Sequence, residues 1–355
     1  MLCVLLEIMR RTLHASSDEV GVRLSRPVTI YDVAAYAGVS ISTVSQTINR
    51  PNRVNPTTRE RVLKAIEDLE YMPKAEAVSH ARRGVGRIGV LGPFTSYDSF
   101  RRRLAGVLRE ADGISREVVV YDHESASVSL SPLLRTLPIT GRIDGLLVMG
   151  LPLDDLLAQH LLTRGLATAL VDSRRPEFSS VTTDDESGGA MAARHLIERG
   201  HQRFAFLSEQ QRSDGYVSSS QRRNVGFTQA LAQAGLPTDV PTVLSDNDLG
   251  ASRRALPELL ALNPVPTAVF ASHDLLAAGL LAECRRTGVR VPDDLAVVGF
   301  DDGPVAEAAG LTTIRQPFEE SGRVGARLLG DLLGGSATGV RHIELALELV
   351  VREST

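Results

Sequence analysis

The chain has no tryptophan and only two cysteines, Cys3 and Cys284, among its 355 residues. Two thiols supply neither a disulfide framework nor a cysteine metal cluster, and a reducing cytoplasm suits such a chain. Long apolar runs are also missing, since a membrane-spanning helix needs roughly 20 such residues. The opening stretch "MLCVLLEIMRRTLHASSDEV" comes nearest. Glu7 interrupts it, and Arg10 and Arg11 follow the apolar residues instead of preceding them, the reverse of a secretory signal. Residues 1–25 are expected to be a flexible extension, with a start near Val22 as one explanation of it. Phosphate-loop, HExxH and GxSxG signatures are absent as well, so no catalytic constellation or cofactor is expected.

Charge of one sign is scarce overall, at a net −4, but it is unevenly spread. Between Arg26 and Arg83 there are nine Lys or Arg against six Asp or Glu, a surplus of three positive charges, while residues 1–25 balance. Residues 84–355 therefore carry −7. A small basic segment ahead of an acidic body suggests an attached nucleic-acid module. The 43% hydrophobic content belongs to a globular chain long enough for two or three domains.

The basic segment predicts three helices. Thr29 is an N-cap with Asp32 three residues on, in the manner of a capping box, and Ile30, Val33, Ala34 and Ala37 share a face. Gly38 ends that helix and Ser40 caps the next. Asn55-Pro56 opens a third, "TTRERVLKAIEDLEY", which Pro73 stops. The middle helix, "VSISTVSQTIN", is odd in composition, because Ser, Thr and Asn compete for backbone hydrogen bonds and are indifferent helix formers. A helix-turn-helix explains it, since there the second helix presents short polar side chains to DNA. Ser42, Thr43, Ser45, Gln46 and Asn49 are types that reach base edges and phosphates, and Ile41 suits a thymine methyl. Val44 and Ile48 are expected to face the small core.

After Arg83 the pattern alternates. "RIGVLGPF", "REVVVYDHE", "IDGLLVMG", "ATALVDS", "RFAFLSE", "PTVLSD", "TAVFASHD" and "LAVVGFDD" predict strands, with amphipathic helices between them. Eight strands are too many for one compact sheet in that length, so the predicted fold is α/β, with two doubly wound parallel-sheet subdomains behind a small all-α headpiece. Ligands in such folds bind at the carboxyl ends of strands. "GVGRIG", Gly84 to Gly89, spells a dinucleotide fingerprint, but its glycines precede a strand instead of following one, so it reads as linker. Asp-Asp pairs at 154–155, 184–185, 293–294 and 301–302 read as helix caps and strand ends.

"VTIYDVAAYAGVSISTVSQTINRPNRVNPTTRERVLKAIEDLEYMPK" resembles the DNA-binding headpiece of the lactose/galactose repressor (LacI/GalR) family. The resemblance runs on through "SVTTDDESGGAMAARHLIERGHQRFAFL", "GVRVPDDLAVVGFDD" and "LTTIRQPFEESGRVGARLL", covering roughly residues 26–355. It implies a headpiece at 26–73 and a hinge at 74–86, followed by a periplasmic-binding-protein-like effector and dimerisation domain at 87–355. The N-subdomain would take about 87–184 plus 317–341, and the C-subdomain about 185–314 plus 342–355. It also implies a cytoplasmic, dimeric repressor on a pseudo-palindromic operator, controlled by a small sugar-like effector and independent of membranes. Thr29, Tyr31, Ser40 and Asn55 join the middle helix at the DNA, with Ala77 and His80 from the hinge. His80 stands where the family's hinge carries a Leu that wedges into the minor groove. A poor wedge, a polar contact and an unkinked operator all remain open. The effector would meet Phe94 after the first strand, Asp172 and Asp301 at strand ends, Arg223 in "RRNVGF", and His273 where the family has Asn. Asp accepts two hydroxyls and Arg donates a fork, which suits a polyhydroxylated ligand, although few aromatic rings are available for stacking on a sugar. The chain ends at "VVREST" without a heptad helix, so a dimer is expected instead of a tetramer. The alternative is a sugar-binding transport component with a similar two-lobed body.

Overall fold

The computed structural model describes residues 28–71, 86–112, 116–123, 132–210 and 217–355. Cys3, Ala77, His80 and nearly all of the expected hinge lie outside these. Two compact units divide at Ala77/Val78, and each is described by itself.

The first unit is three helices, α1 (Ile30–Ala37), α2 (Ile41–Asn49) and α3 (Pro56–Asp68). Thr29 opens α1: its backbone N–H and its hydroxyl both donate to the Asp32 carboxylate, at 2.8 and 2.6 Å. Gly38 ends it at φ 62°, a left-handed conformation that favours glycine, and no atom lies within 4 Å of where its Cβ would stand. The need there is therefore conformational and not steric. Val33, Ala34 and Ala37 of α1, Val44 and Ile48 of α2, and Val62, Leu63 and Ile66 of α3 form the core. These core residues lie at helical spacing in the sequence, while Ile30, expected on the same face of α1, is only half-buried.

The second unit holds two six-stranded sheets. The first lobe has β1 (Arg87–Gly92), β2 (Glu117–Asp122), β3 (Gly145–Met149), β4 (Ala167–Val171) and β5 (Ser179–Thr183), with α4 (Asp98–Asp112), α5 (Pro132–Thr140) and α6 (Asp155–Thr163) between them. The second begins at α7 (Asp185–Glu198). It continues through β6 (Phe204–Glu209), α8 (Ser219–Gln233), β7 (Thr242–Ser245), α9 (Leu249–Arg253), α10 (Ala255–Leu260), β8 (Ala268–Ala271), α11 (Asp274–Thr287), β9 (Ala296–Asp301), α12 (Pro304–Ala309) and β10 (Thr312–Arg315). The chain then returns to the first lobe for α13 (Phe318–Leu333) and β11 (His342–Leu345), and ends in the second with β12 (Glu348–Val350). The strand orders are β11-β5-β4-β3-β1-β2 and β12-β10-β9-β8-β6-β7. All pairs are parallel except β10–β12. Each sheet has a separate apolar cluster on either face, as doubly wound sheets require.

Four of these strands, β5, β10, β11 and β12, were not expected from the sequence. They are short and rich in Ser, Thr and Glu, and they lack an apolar run. One boundary is corrected. Residues 342–345 were expected in the C-subdomain, yet β11 pairs with β5, Ile343 opposite Val181, so they belong to the first lobe and the chain crosses at Ala346–Leu347. The open edge of β5 assigns the segment, because its own residues carry no core periodicity.

The lobes are built around close helix crossings. A Cβ on Gly226 of α8 would lie 1.8 Å from the Glu186 carbonyl oxygen of α7. Gly226→Ala is therefore expected to force the two helices apart. Overpacking of this kind typically costs about 1–3 kcal/mol. Each kcal/mol should lower the Tm by about 2–4 °C in a body of this size, which a thermal melt will read; an unchanged Tm would refute the crossing.

Candidate functional site

In α2 the Ser40 hydroxyl accepts from the Thr43 N–H at 3.1 Å and lies 2.7 Å from the Ser42 hydroxyl and 2.8 Å from that of Thr43. Asn49 turns its amide back onto the Ser45 carbonyl and hydroxyl, at 2.8 and 3.2 Å. Gln46 is exposed, and its amide has no hydrogen-bond partner among the described residues. Ile41 and Tyr31 are exposed too, at 40% and 67%. Thr29, Ser40 and Asn55, expected at DNA, also have local duties, since Asn55 caps α3 by accepting from the Thr57 N–H at 3.0 Å. The helix thus presents one long amide, Gln46, flanked by short hydroxyls that are already organised among themselves. Ala77 and His80 lie outside the described residues.

In the second unit the strands of both sheets end at one cavity of about 880 Å³. Pro93 follows β1, Asp172 follows β4, Glu209 ends β6, Ser272 and His273 follow β8, and Asp301 ends β9; all of these line it. Asp172, Arg223, His273 and Asp301 are therefore brought together as expected. Phe94 is not in the lining. It packs instead on the first lobe's cluster with Phe100 and Val107, and a Cβ on Gly92 would lie 3.1 Å from its ring. The rings that do line the cavity are Tyr97, Phe100 and Phe318.

Arg223 is 8% exposed. Its Nε donates to Asp185 Oδ1 at 2.9 Å, one of its terminal nitrogens donates to the Ser272 carbonyl, and another lies 3.9 Å from Asp301 Oδ1. Its guanidinium rests 3.7 Å above the Phe300 ring. Asp185 also receives Arg222 at 2.8 Å. Asp301 accepts from the Gln316 amide at 2.7 Å, and Gln316 in turn accepts from the Thr183 hydroxyl at 3.0 Å. Gln316 thereby joins a cleft carboxylate to two segments by which the chain crosses between lobes. Burial pushes the Asp301 carboxyl up, opposed by Arg223 beside it. Burial also raises Asp274, which accepts from the Thr313 hydroxyl at 2.6 Å and the Gly303 N–H at 2.9 Å. His273 is pushed down to about 3, first by burial and then by Arg223. It is therefore neutral near pH 7, so it can offer one donor and one acceptor.

Across the cleft the Tyr97 hydroxyl reaches both oxygens of Glu209 at 2.8 Å, and Arg102 donates to the Asp302 carbonyl at 3.1 Å. Burial raises the Glu209 carboxyl, against the lowering effect of the Tyr97 hydrogen bond.

Arg103 is a site residue that sequence reasoning missed. It is 3% exposed, lies 3.4 Å from Asp172 Oδ2, and is held between the faces of Phe100 and Phe318 at 4.8 and 4.5 Å. In "FRRRLAG" it looks like one cation of a solvated helix face. Asp185 was missed in the same way, because "DD" at 184–185 reads as a cap. Asp184 does cap α7, accepting from the Ser187 N–H at 3.0 Å, while Asp185 points to the arginines. Asp154 caps α6, and Asp293 and Asp294 pair with Arg290. Gly89 of the "GVGRIG" run lies inside β1, which removes the dinucleotide reading. Among the described residues no group of His, Cys, Asp or Glu could hold a metal ion, and no helix is long and apolar enough to cross a membrane.

A helix-turn-helix unit ahead of a two-lobed body with a strand-end cleft is the architecture of a DNA-binding regulator. Comparison with known proteins agrees. Residues 29–74 match the family of bacterial regulatory proteins of the lacI type, and residues 193–355 match the periplasmic binding protein-like domain. The HTH-type transcriptional regulator DegA of Bacillus subtilis is 31% identical over 339 residues, covering 92% of this chain and 98% of DegA. The solved complex of the transcriptional regulator CelR with cellobiose superposes with a TM-score of 0.68 at 32% identity, covering 93% of this chain and all of that one. The Lac repressor dimer bound to operator and the anti-inducer ONPF superposes at 0.66 with 28% identity, over 93% of this chain and 99% of that one. The chain belongs to the LacI family and is a DNA-binding transcriptional regulator.

Proposed function

We propose that the chain is a cytoplasmic repressor that binds a pseudo-palindromic operator as a homodimer and is controlled by a small, polar, sugar-like effector in the cleft. The observation that carries this reading is the convergence of Asp172, Arg223, His273 and Asp301 on one cavity at the strand ends. Carboxylates that accept and a guanidinium that donates form a set suited to hydroxyl groups. The relatives support it, one being a complex with cellobiose and another a dimer on its operator. Occupancy would alter the angle between the lobes and bias the DNA-binding units, a coupling typically of about 1–3 kcal/mol. The headpiece disfavours a transport component, which has no use for a DNA-reading helix. Two measurements test the reading. Sedimentation at micromolar concentration should give about twice the chain mass of 38.2 kDa; a fourfold mass would refute the dimer. Operator retardation should be lost on deleting residues 1–83 and should shift when a binding sugar is added to the full chain. A saturating ligand that leaves operator affinity unchanged would refute control through the cleft.

A further inference from the structure

One short segment of the first lobe, Ser96 to Arg102, reaches the second lobe by polar contacts along its whole length. The Tyr97 hydroxyl lies 2.8 Å from both oxygens of Glu209. The Ser96 carbonyl accepts from the Asn247 amide at 3.4 Å, and Arg102 donates to the Asp302 carbonyl at 3.1 Å. The partners stand at different places in the second sheet, for Glu209 ends β6, Asn247 follows β7 and Asp302 follows β9. These strands lie in the order β9-β8-β6-β7, so the seam runs across the width of the lobe. The Tyr97 bond to a half-buried carboxylate belongs to the stronger, charge-assisted class, and the Asn247 bond is the weakest of the set by its length.

Both sides of the seam are held in place from within their own lobe. Thr95, just ahead of the segment, donates its N–H and its hydroxyl to the Asp122 carboxylate after β2, at 3.0 and 2.6 Å. The Ser96 and Tyr97 N–H groups donate to the Pro93 carbonyl at 3.3 and 3.2 Å, Phe100 is buried in the lobe's core, and the Arg102 guanidinium lies 4.9 Å over the Phe318 ring. Little conformational freedom is left for the crossing groups to lose when they meet their partners. In the second lobe, Asp302 stands at φ 53°, directly after Asp301 at φ 119°. Two successive side-chain-bearing residues in the left-handed region persist only where their surroundings over-determine them. Arg315 and Arg352 each grip the Asp302 carboxylate at 2.7 Å, and the Gly303 N–H donates to Asp274 at 2.9 Å. The turn so held presents the Asp302 carbonyl to Arg102. None of the residues in the seam is among those assigned to the effector, Asp172, Arg223, His273 and Asp301. Tyr97 and Glu209 line the cavity, but they satisfy each other.

We propose that Ser96–Arg102 is a clasp built into the fold, which closes the lobes on each other by protein contacts alone and so sets the operator affinity of the chain before any effector acts. This rests on reading the two-lobed body as the control of the DNA-binding unit. An effector then adjusts a closure that the chain already has, instead of drawing together two free lobes. The test needs no ligand. Amide hydrogen exchange of the full chain is read on fragments covering residues 210 and 303, which lie beside the two ends of the seam, and operator affinity is read by anisotropy on a site selected from random DNA. Tyr97→Phe, which removes a single oxygen, and Arg102→Gln, which removes the donor to the Asp302 carbonyl, are compared with the unsubstituted chain. A clasp opens as a unit, so each variant should accelerate exchange about fivefold or more at both fragments, including the one far from its own substitution. Each should also change operator affinity without effector by about threefold or more, in the same direction for both. If Arg102→Gln fails to fold, Glu209→Gln weakens the Tyr97 bond from the other lobe and should accelerate exchange at residue 303 as Tyr97→Phe does. Acceleration confined to the fragment beside each substitution overturns the proposal, because the contacts are then separate local bonds. Unchanged operator affinity in folded variants whose exchange is accelerated at both fragments overturns it too. Failure of the unsubstituted chain to bind any selected operator sinks the regulator reading, and the exchange result then decides the clasp by itself.

Discussion

Arg223→Met is expected to abolish the effector response and to destabilise the second lobe by about 3 kcal/mol, the lower end of the cost of breaking a buried ion pair. The lower end applies because Asp185, with its side chain 2% exposed, keeps Arg222 on its other oxygen when Arg223 is gone. Asp301 would lose its ion pair with Arg223 and rely on the Gln316 amide, with Arg103 and Arg102 acting on it only at longer range. The Ser272 carbonyl also loses its donor. Urea unfolding measures the stability loss, and titration of operator affinity with and without effector measures the response. Asp301→Asn should remove the response with a smaller stability loss, since it keeps the shape and deletes one charge. Operator retardation without effector is the control for folding in both variants. Retained effector response in both would mean that the cleft residues have been assigned to the wrong site.

Gln46→Ala is expected to cost about 1–3 kcal/mol at one base of each half-site and to relax the preference there. Gln46 has the long, exposed amide of α2, without a hydrogen-bond partner among the described residues, while Asn49 and Thr47 are turned onto backbone carbonyls. The family resemblance implies an Arg at this position in members of known specificity, whose two-donor fork pairs with guanine O6 and N7. A glutamine amide offers one donor and one acceptor, which suits adenine N6 and N7. The half-site should therefore show adenine where Arg-bearing relatives prefer guanine, and Gln46→Arg should move the preference toward guanine. A phosphate contact would instead weaken all sequences alike. Binding of both variants to operators carrying each of the four bases at every half-site position distinguishes these outcomes, and a uniform loss for Gln46→Ala would refute base readout.

Much of this protein is decided within a few residues of chain. Thr29 with Asp32, Gly38, Ser40 and Asn55-Pro56 set the limits of the three small helices, because capping and left-handed turns are local events. Eight apolar runs ending in polar residues announce the alternating lobes and point to their carboxyl ends. The family resemblance, and not those runs alone, then implies Asp172, His273 and Asp301 at such ends. The remainder is non-local. Whether His342–Leu345 joins one sheet or the other depends on which strand edge is open, and nothing in "HIEL" carries that information. Whether Phe94 or Phe100 faces the cavity depends on which way the chain turns over a core assembled from distant segments. Arg103 and Asp185 look like surface charges in the sequence. They become buried members of the cleft because glycine-carbonyl crossings hold α4 on α13 and α8 on α7, and because Asp172, Ser272 and Asp301 come from strands that only the sheet brings alongside.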